Sequence, residues 1–256
     1  MIQKMWLLLH FVLSSSRSYF VRYMPAPGSQ ISETTGEEPD IPEEVQIGDF
    51  IVGRYTASEW SRYFPWENWD HAALVTGVDP LTIIEASGII LQRRGKETGK
   101  EEIREGVVEY EFLRQRTVKN LDGSKNPDGN LWLKDDLIEA LWLQPVFPDP
   151  LRGVAHWKVP WRKRGRITET QARQRAVAFA RSQIGEPFSI SLKAHKWNTQ
   201  RWYCSLLIFK AYSRTVTNIY LESYEPAAGW YVTPEDLSQS RRSTAYHHWV
   251  NGNSAS

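Results

Sequence analysis

The sequence predicts an α+β fold in which an antiparallel sheet, or a small barrel, packs against a buried helix. Strand-like alternation of apolar and polar residues dominates the first half of the folded region, and two helical patterns follow in the second half. The second helical pattern contains Cys204, the only cysteine among 256 residues. With 41% hydrophobic residues, the chain is long enough to bury a substantial core around that helix.

Composition divides the chain into four parts. Residues 1–24 contain an apolar run too short to span a bilayer, so they are either a secretory signal or an element that packs on the domain. Residues 25–45 combine proline, glycine and acidic side chains, which is typical of a disordered linker. We place a single folded domain at 46–250 and a disordered tail at 251–256. A cytoplasmic location is favoured unless residues 1–16 direct export, and any membrane association depends on this N-terminal segment.

Three segments predict the first strands of the sheet. They read "QIGDFIVGRY" at 46–55, "HAALVTGV" at 71–78 and "LTIIEASGIILQ" at 81–92. Asp79-Pro80 is a turn signal between the last two segments, which therefore form a hairpin, with its turn placed at Thr76–Pro80. The segment "GVVEYEFLR" at 106–114 resumes the strand pattern after a charged stretch.

The strongest helical pattern is "ITETQARQRAVAFARSQIGEPF" at 167–188. Thr168 precedes it as a cap, with Gln171 at the third helical position as its reciprocal partner. The segment "DDLIEALWL" at 135–143 is interpreted as a short helix. Thr233, which is followed by Pro-Glu-Asp, marks another helix start near the C-terminal end.

The cysteine lies at the start of "CSLLIFKAY", a segment that is apolar on nearly every side. A helix of this kind is buried, and only its first turn reaches a surface or cleft. Cys204 occupies that first turn, where unpaired amides and the helix dipole favour a thiolate and can bind a developing oxyanion. The alternative is that Cys204 is a small hydrophobic residue of the core.

A nucleophilic cysteine needs a base, and His71 with Glu85 is the best candidate pair. Both residues are seven positions from Val78, so the five-residue turn would place them directly opposite each other, with Cβ atoms about 5 Å apart. A carboxylate there orients the imidazole and stabilises the imidazolium. The alternatives are a strand-end histidine with no partner and a glutamate that faces solvent.

Six motifs carry a resemblance to a known family. In order, they are "IGDFIVGR", "WDHAALVTG", "IIEASG", "AVAFARSQIGEPF", "YCSLLIFKAY" and "TPEDL". Together they resemble the circularly permuted papain-like amidases, a bacterial branch of the NlpC-type cysteine peptidase superfamily, in which the histidine strand precedes the cysteine helix. The resemblance covers residues 46–240. It implies a permuted papain-like fold with Cys204 as nucleophile, His71 as base and Glu85 as the polar third member.

The resemblance also bears on the substrate cleft. It implies that Tyr203 lines the cleft, whereas Leu206 stands where many members have glutamate, so any role of that glutamate is absent here. Tryptophans lie on both sides of the candidate site, where they form either the walls of a groove or part of the core. The candidate substrate-binding residues are Tyr203, Trp66, Trp69, Trp202 and Ser205.

These observations predict a cysteine hydrolase that cleaves an amide or ester through a thioacyl-enzyme intermediate. The alternatives are an acyltransferase or lipid deacylase on the same fold, or an inactive module that binds cell-wall fragments or lipid. The substrate is then a small-molecule, peptide or lipid amide, and no cofactor or metal is required. A net charge of +1 provides no general attraction to nucleic acid. His247 and His248 are interpreted as surface residues.

Overall fold

The computed structural model describes most of the domain and leaves several segments undescribed. The described residues are 31–36, 38–56, 68–87, 90–91, 102–103, 106–114, 118–119, 125–126, 130–133, 137–153, 165–189, 201–217, 219–221 and 231–252. The N-terminal segment 1–24 and Trp66 lie outside these ranges, so the predictions made for them are not addressed by the structure.

The described part of the chain is built on one seven-stranded sheet with few helices, which confirms the α+β class. The sheet order is β1-β11-β10-β2-β3-β4-β7, and all of its neighbouring strands are antiparallel except the parallel pair β1–β11. Two small ribbons, β5–β6 and β8–β9, stand apart from it. The strands are β1 Ser32–Gly36, β2 Phe50–Tyr55, β3 His71–Val78, β4 Leu81–Ala86, β5 Ile90–Leu91, β6 Glu102–Ile103, β7 Val107–Glu111, β8 Val118–Lys119, β9 Lys125–Asn126, β10 Leu137–Pro145 and β11 Ser243–Asn251.

The helices confirm three of the sequence predictions. They are α1 Glu169–Arg181, α2 Cys204–Ser213 and α3 Pro234–Ser238, with a 3₁₀ helix at Leu131–Leu133. Thr168 and Gln171 form the predicted reciprocal cap of α1. Every residue of α2 from Cys204 to Tyr212 is buried, because the helix packs on α1 and on strands β3 and β4. Within the described part, no helix combines the length and hydropathy needed to cross a bilayer.

The sheet separates two hydrophobic clusters, because successive side chains of a strand point to opposite faces. The first cluster lies on the face covered by α1 and α2 and includes Leu74, Ile84 and Cys204. The second lies on the other face and includes Val75, Ile83, Trp132, Trp142 and Trp249. By this alternation, the side chains of His71 and Glu85 point to the face of the second cluster.

The predicted helix at 135–143 is wrong, since residues 137–145 form strand β10. This strand lies inside the sheet, between β2 and β11. Its apolar run from Leu137 to Leu143 is interrupted only by Glu139, as expected of a strand with both faces covered. Periodicity alone does not separate such a run from a buried helix, and the two neighbouring strands decide the outcome.

The segment predicted as a linker contains an edge strand. Ser32–Gly36 pairs in parallel with β11, from Ser32 opposite His247 to Gly36 opposite Asn251. Thr34 donates to Asp40 at 2.8 Å, and His247 Nε2 lies 2.8 Å from the same carboxylate oxygen. His247 is only 3% exposed, so its interpretation as a surface residue was wrong.

Candidate active site

The hairpin that carries His71 and Glu85 has a shorter turn than predicted. Strand β3 continues to Val78, so only Asp79 and Pro80 remain between the strands. Thr76 is an extra residue in β3, because the pairing shifts between Val75 and Gly77. Leu74 pairs with Ile84, and this register continues to place Glu85 opposite Ala73.

The predicted direct opposition of His71 and Glu85 was therefore wrong, and the two residues are diagonal neighbours. His71 is two positions from Ala73, the residue opposite Glu85, so the side chains of His71 and Glu85 still project from the same face. Their ring and carboxylate meet, with His71 Nε2 2.7 Å from Glu85 Oε2. The histidine is 8% exposed and the glutamate 0%. The sequence predicted the contact but not the register that makes it.

The Glu85 carboxylate has further hydrogen-bond donors. Trp132 Nε1 donates to Oε2 at 3.1 Å, and the Tyr110 hydroxyl on β7 lies close enough to the carboxylate to help lower its pKa. Burial raises the pKa of Glu85, but the charge of His71 and the hydrogen bonds from His71, Tyr110 and Trp132 lower it further. The net pKa is below the ordinary value of 4.5. Glu85 is thus a fully buried carboxylate that stays ionised.

The Cys204 sulfur is a second partner of the same imidazole. Burial lowers the pKa of His71, but the charge of Glu85, the charge of Cys204 and the hydrogen bonds that the ring makes to both raise it, from 6.5 to about 10. Because Nε2 is taken by Glu85, Nδ1 is the ring nitrogen left for the thiol. The ring is therefore an imidazolium at neutral pH, held between a carboxylate and a sulfur.

Cys204 is the first residue of α2 and is only 3% exposed. Tyr203 precedes the helix in an extended conformation and makes no side-chain cap hydrogen bond. The amides of the first turn are consequently not satisfied by a side chain at this position. These N–H groups are hydrogen-bond donors beside the sulfur, and they could bind the oxyanion that forms if the sulfur attacks a carbonyl.

The residues on either side of Cys204 are held by one backbone position. Val232 N–H donates to the Tyr203 hydroxyl at 3.0 Å, and Ser205 Oγ donates to the Val232 carbonyl at 2.7 Å. Both side chains are fully buried, and burial raises the pKa of Tyr203 well above 10. These contacts fix the start of α2, and the predicted contact of Tyr203 and Ser205 with substrate stays a prediction.

The two described tryptophans of the predicted cleft have different surroundings. Trp202 is 0% exposed and packs edge-on against Phe179 of α1, with ring centroids 6.0 Å apart. Trp69, two residues before His71, is partly buried and packs edge-on against His248, with centroids 6.4 Å apart. Of these two residues, only Trp69 has substantial exposed surface near the histidine end of the site.

A hydrogen-bonded bridge connects the histidine side of the site with α3. Asn68, three residues before His71, donates its backbone N–H to Glu235 at 2.9 Å and its side-chain amide at 3.3 Å. Glu235 is in α3, which directly follows the Val232 segment that holds Tyr203 and Ser205. Burial raises the pKa of Glu235, and the hydrogen bonds from Asn68 oppose this shift. The bridge connects the segment that carries His71 with the segment that holds the start of α2 at Cys204.

Sequence reasoning missed Trp132 and Tyr110. Tyr110 was assigned to a strand, but its face was not determined. Trp132 follows a stretch of turn-forming residues, and only Asn130, a typical capping residue, indicated local order there. Within the described ranges, no three His, Cys, Asp or Glu side chains are grouped so as to hold a metal ion.

Comparison of the chain with protein-family models, with curated proteins and with solved structures finds no match. The case for a functional site therefore depends on the geometry around His71 and on the sequence motifs that precede and contain it.

Proposed function

We propose that this protein is a cysteine hydrolase in which Cys204 is the nucleophile, His71 the base and Glu85 the residue that orients the base. The proposal depends on one observation, which is that the imidazole of His71 has both Glu85 and Cys204 as partners. Its Nε2 lies 2.7 Å from a fully buried carboxylate, and the only cysteine of the chain hydrogen-bonds to the same ring. Covalent catalysis by a cysteine requires a nucleophile that contacts a base and a third group that orients the base.

We further propose that the fold is a circularly permuted form of the papain-like fold. Two features support this assignment beside the motifs. A buried helix that begins at the cysteine packs against a mostly antiparallel sheet, and the histidine is the first residue of a strand in that sheet. The histidine strand also precedes the cysteine helix in the chain, as in the permuted branch.

The first half of the reaction forms the acyl-enzyme. The Cys204 thiolate attacks the carbonyl carbon of the amide or ester, and a sulfur–carbon bond forms while the carbonyl oxygen becomes an oxyanion. The backbone N–H groups at the start of α2 donate to that oxyanion. The proton that the Cys204 thiol gave to His71 Nδ1, when the thiolate formed, is the one used next: collapse of the oxyanion breaks the bond to the leaving group, which takes that proton from Nδ1. Glu85 holds the ring throughout by accepting from Nε2.

The second half releases the acid. Water attacks the thioester carbonyl, and the now neutral His71 takes a proton from that water at Nδ1. Collapse of the second tetrahedral intermediate expels the Cys204 thiolate, which again pairs with the imidazolium. The carboxylic acid leaves, and the starting charges of all three residues are restored.

An activated ester tests this proposal. With p-nitrophenyl acetate, the native chain is expected to release a burst of one equivalent of p-nitrophenol and to carry one acetyl group on Cys204 by mass spectrometry. Cys204→Ala should abolish the burst. The absence of a burst, together with a thiol that iodoacetamide labels only after unfolding, would contradict the proposal and support a core cysteine. Binding of lipid or cell-wall fragments without acylation would support an inactive module instead.

A further inference from the structure

One buried indole makes a contact that packing does not require. Trp132 is 0% exposed, and its Nε1–H donates to Glu85 Oε2 at 3.1 Å. The same oxygen lies 2.7 Å from His71 Nε2, and the Trp132 and His71 rings are 5.6 Å apart with a tilt of 47°. A single carboxylate oxygen therefore receives two N–H groups, one from the base and one from the indole.

The position of Trp132 is itself fixed by a buried asparagine. The Trp132 backbone N–H donates to Asn130 Oδ1 at 2.9 Å. Asn130 Nδ2 in turn donates to the carbonyls of Phe112 at 2.6 Å and Arg114 at 3.1 Å. Asn130 is 3% exposed, so these bonds are shielded from water. They attach the 3₁₀ helix to the end of β7, next to the strand that carries Glu85.

Space for the indole comes from a glycine in the neighbouring strand. Gly53 on β2 pairs with His71 on β3. A Cβ atom at Gly53 would lie 3.0 Å from the Trp132 ring and 3.2 Å from Leu137 Cδ1, both closer than most Cβ contacts. The ring therefore occupies the space that a side chain would fill directly beside the base.

We propose that Trp132 is a positioning residue that holds the Glu85 carboxylate, through the Nε1–H to Oε2 hydrogen bond, in the orientation that receives His71 Nε2–H. This inference rests on the proposed function and adds a residue to its site. A carboxylate bonded through one oxygen to a single donor can rotate away, whereas two donors on that oxygen fix its plane. An indole N–H is donor only, so it cannot take the proton that His71 must hold.

Among the residues that the structure describes, the groups that face Glu85 come from three elements. They are His71 on β3, Tyr110 on β7 and Trp132 on the 3₁₀ helix, and the Cys204 thiol lies beyond the His71 ring. Tyr110 and Trp132 both stabilise the ionised form of Glu85, so each lowers its pKa. Removal of the indole N–H should therefore make the carboxylate easier to protonate.

The second cluster also supplies a matched control. Trp142 is equally buried, and it packs on Phe112 with ring centroids 5.3 Å apart, against 5.6 Å for Trp132 and the same phenylalanine. Among the residues that the structure describes, Trp142 Nε1 has no hydrogen-bond partner. Trp132→Phe removes ring volume and a hydrogen bond, whereas Trp142→Phe removes ring volume alone.

The decisive measurement is the titration of the Glu85 carboxyl carbon by ¹³C NMR, with the resonance assigned from Glu85→Gln. In Trp132→Phe the midpoint should rise by about one pH unit, a roughly ten-fold gain in proton affinity, as expected for one lost hydrogen bond to a charged group. Trp142→Phe should leave it within a few tenths of a unit. Equal shifts in the two variants, or no shift in Trp132→Phe, would overturn the proposal.

A second variant and a second readout complete the test. If Trp132→Phe fails to fold, Asn130→Ala keeps the indole but detaches its 3₁₀ helix, and it must raise the same midpoint; an unchanged value overturns the proposal. In the ester assay, kcat/KM should fall about ten-fold more in Trp132→Phe than in Trp142→Phe. A native chain that forms no acyl-enzyme would refute the proposed function, and the titration would still decide whether Trp132 holds Glu85.

Discussion

His71 and His247 make the same contact in two regions of the molecule. Each holds a carboxylate oxygen at Nε2, at 2.7 Å from Glu85 and at 2.8 Å from Asp40, and each histidine is nearly buried. The carboxylates differ, since the Glu85 side chain is 0% exposed and that of Asp40 is 44% exposed. Charges attract more strongly away from water, so burial of the carboxylate distinguishes the two pairs.

The remaining neighbours of the two rings differ as well. His71 has a thiol as its second partner, whereas His247 lies 3.3 Å from the Thr34 hydroxyl, which itself donates to Asp40. The Asp40 contacts join edge strand β1 and the residues after it to β11, which is a structural task. A histidine–carboxylate pair alone therefore indicates little about chemistry; the buried carboxylate and the nearby cysteine make the His71 pair a candidate site.

The largest difference is expected in the acylation of Cys204. His71→Ala should slow the p-nitrophenyl acetate burst by about 10²–10⁴-fold, the usual contribution of a general base, because no group remains to hold the proton. His247→Ala should leave the burst rate within about three-fold while lowering stability. The rates are measured by stopped-flow absorbance, and similar losses in both variants would mean that the two pairs are not functionally distinct.

A smaller difference is expected in stability and its pH dependence. The pKa of Glu85 is lowered from 4.5 and that of His71 is raised from 6.5 to about 10. The contribution of Glu85 to stability is fully present above pH 4.5 and is lost as the pH falls through the lowered pKa of this residue. The contribution of His71 to stability is fully present below pH 6.5 and is lost as the pH rises toward 10. Their combined stabilisation is therefore greatest between these two ordinary values.

Urea unfolding across this range checks the expectation. Glu85→Gln should lower the free energy of unfolding by about 3–5 kcal/mol near pH 5.5, because it leaves a buried imidazolium unpaired. The loss should shrink as pH rises from 6.5 to 10. Asp40→Asn, at the half-exposed carboxylate, should cost no more than about 1 kcal/mol. A loss for Glu85→Gln that stays constant up to pH 10 would contradict the assigned ionisation.

The smallest difference in stability is expected when one methyl group is added to a glycine in each region. Gly53→Ala should cost about 1–3 kcal/mol, because the added Cβ lies 3.0 Å from the Trp132 ring and crowds the face beside His71. Gly36→Ala in β1 should change stability by less than about 1 kcal/mol, since its nearest atoms are 3.5 Å away. Thermal unfolding compares the two, and equal costs would show that the indole does not depend on the space at Gly53.

The sequence was most informative where the signals were local. The cap of α1 at Thr168, the cap of α3 at Thr233 and the strand pattern from His71 were all predicted correctly, because each depends on neighbours within a few residues. Strand β10 was misjudged, since its apolar run becomes a strand only through pairing with β2 and β11. Polar Ser32–Gly36 has no strand pattern of its own and depends on a partner more than 200 residues away.

The contact between His71 and Glu85 was predicted, whereas the residues that support it were not. His71 and Glu85 were expected to meet, and they do, but a shorter turn and the extra residue Thr76 set a diagonal register. Turn length and bulge depend on backbone details that alternation does not encode. The hydrogen bond from Trp132 was invisible in the sequence, because it links a residue in an unpatterned stretch to a strand 47 positions earlier.

The order of the site along the chain has a consequence for protein synthesis. The hairpin with His71 and Glu85 ends at Ala86 and leaves the ribosome about 120 residues before Cys204, a delay of roughly 6–24 s at 5–20 residues per second. Strand β11 follows Cys204 and fills the place between β1 and β10. For about half of the synthesis of the chain, His71 and Glu85 have therefore been made while Cys204 has not. In the proposed enzyme, Cys204 emerges only after the imidazole and the carboxylate that pair with it have been made, so its thiol spends less time without a partner than it would in the reverse order.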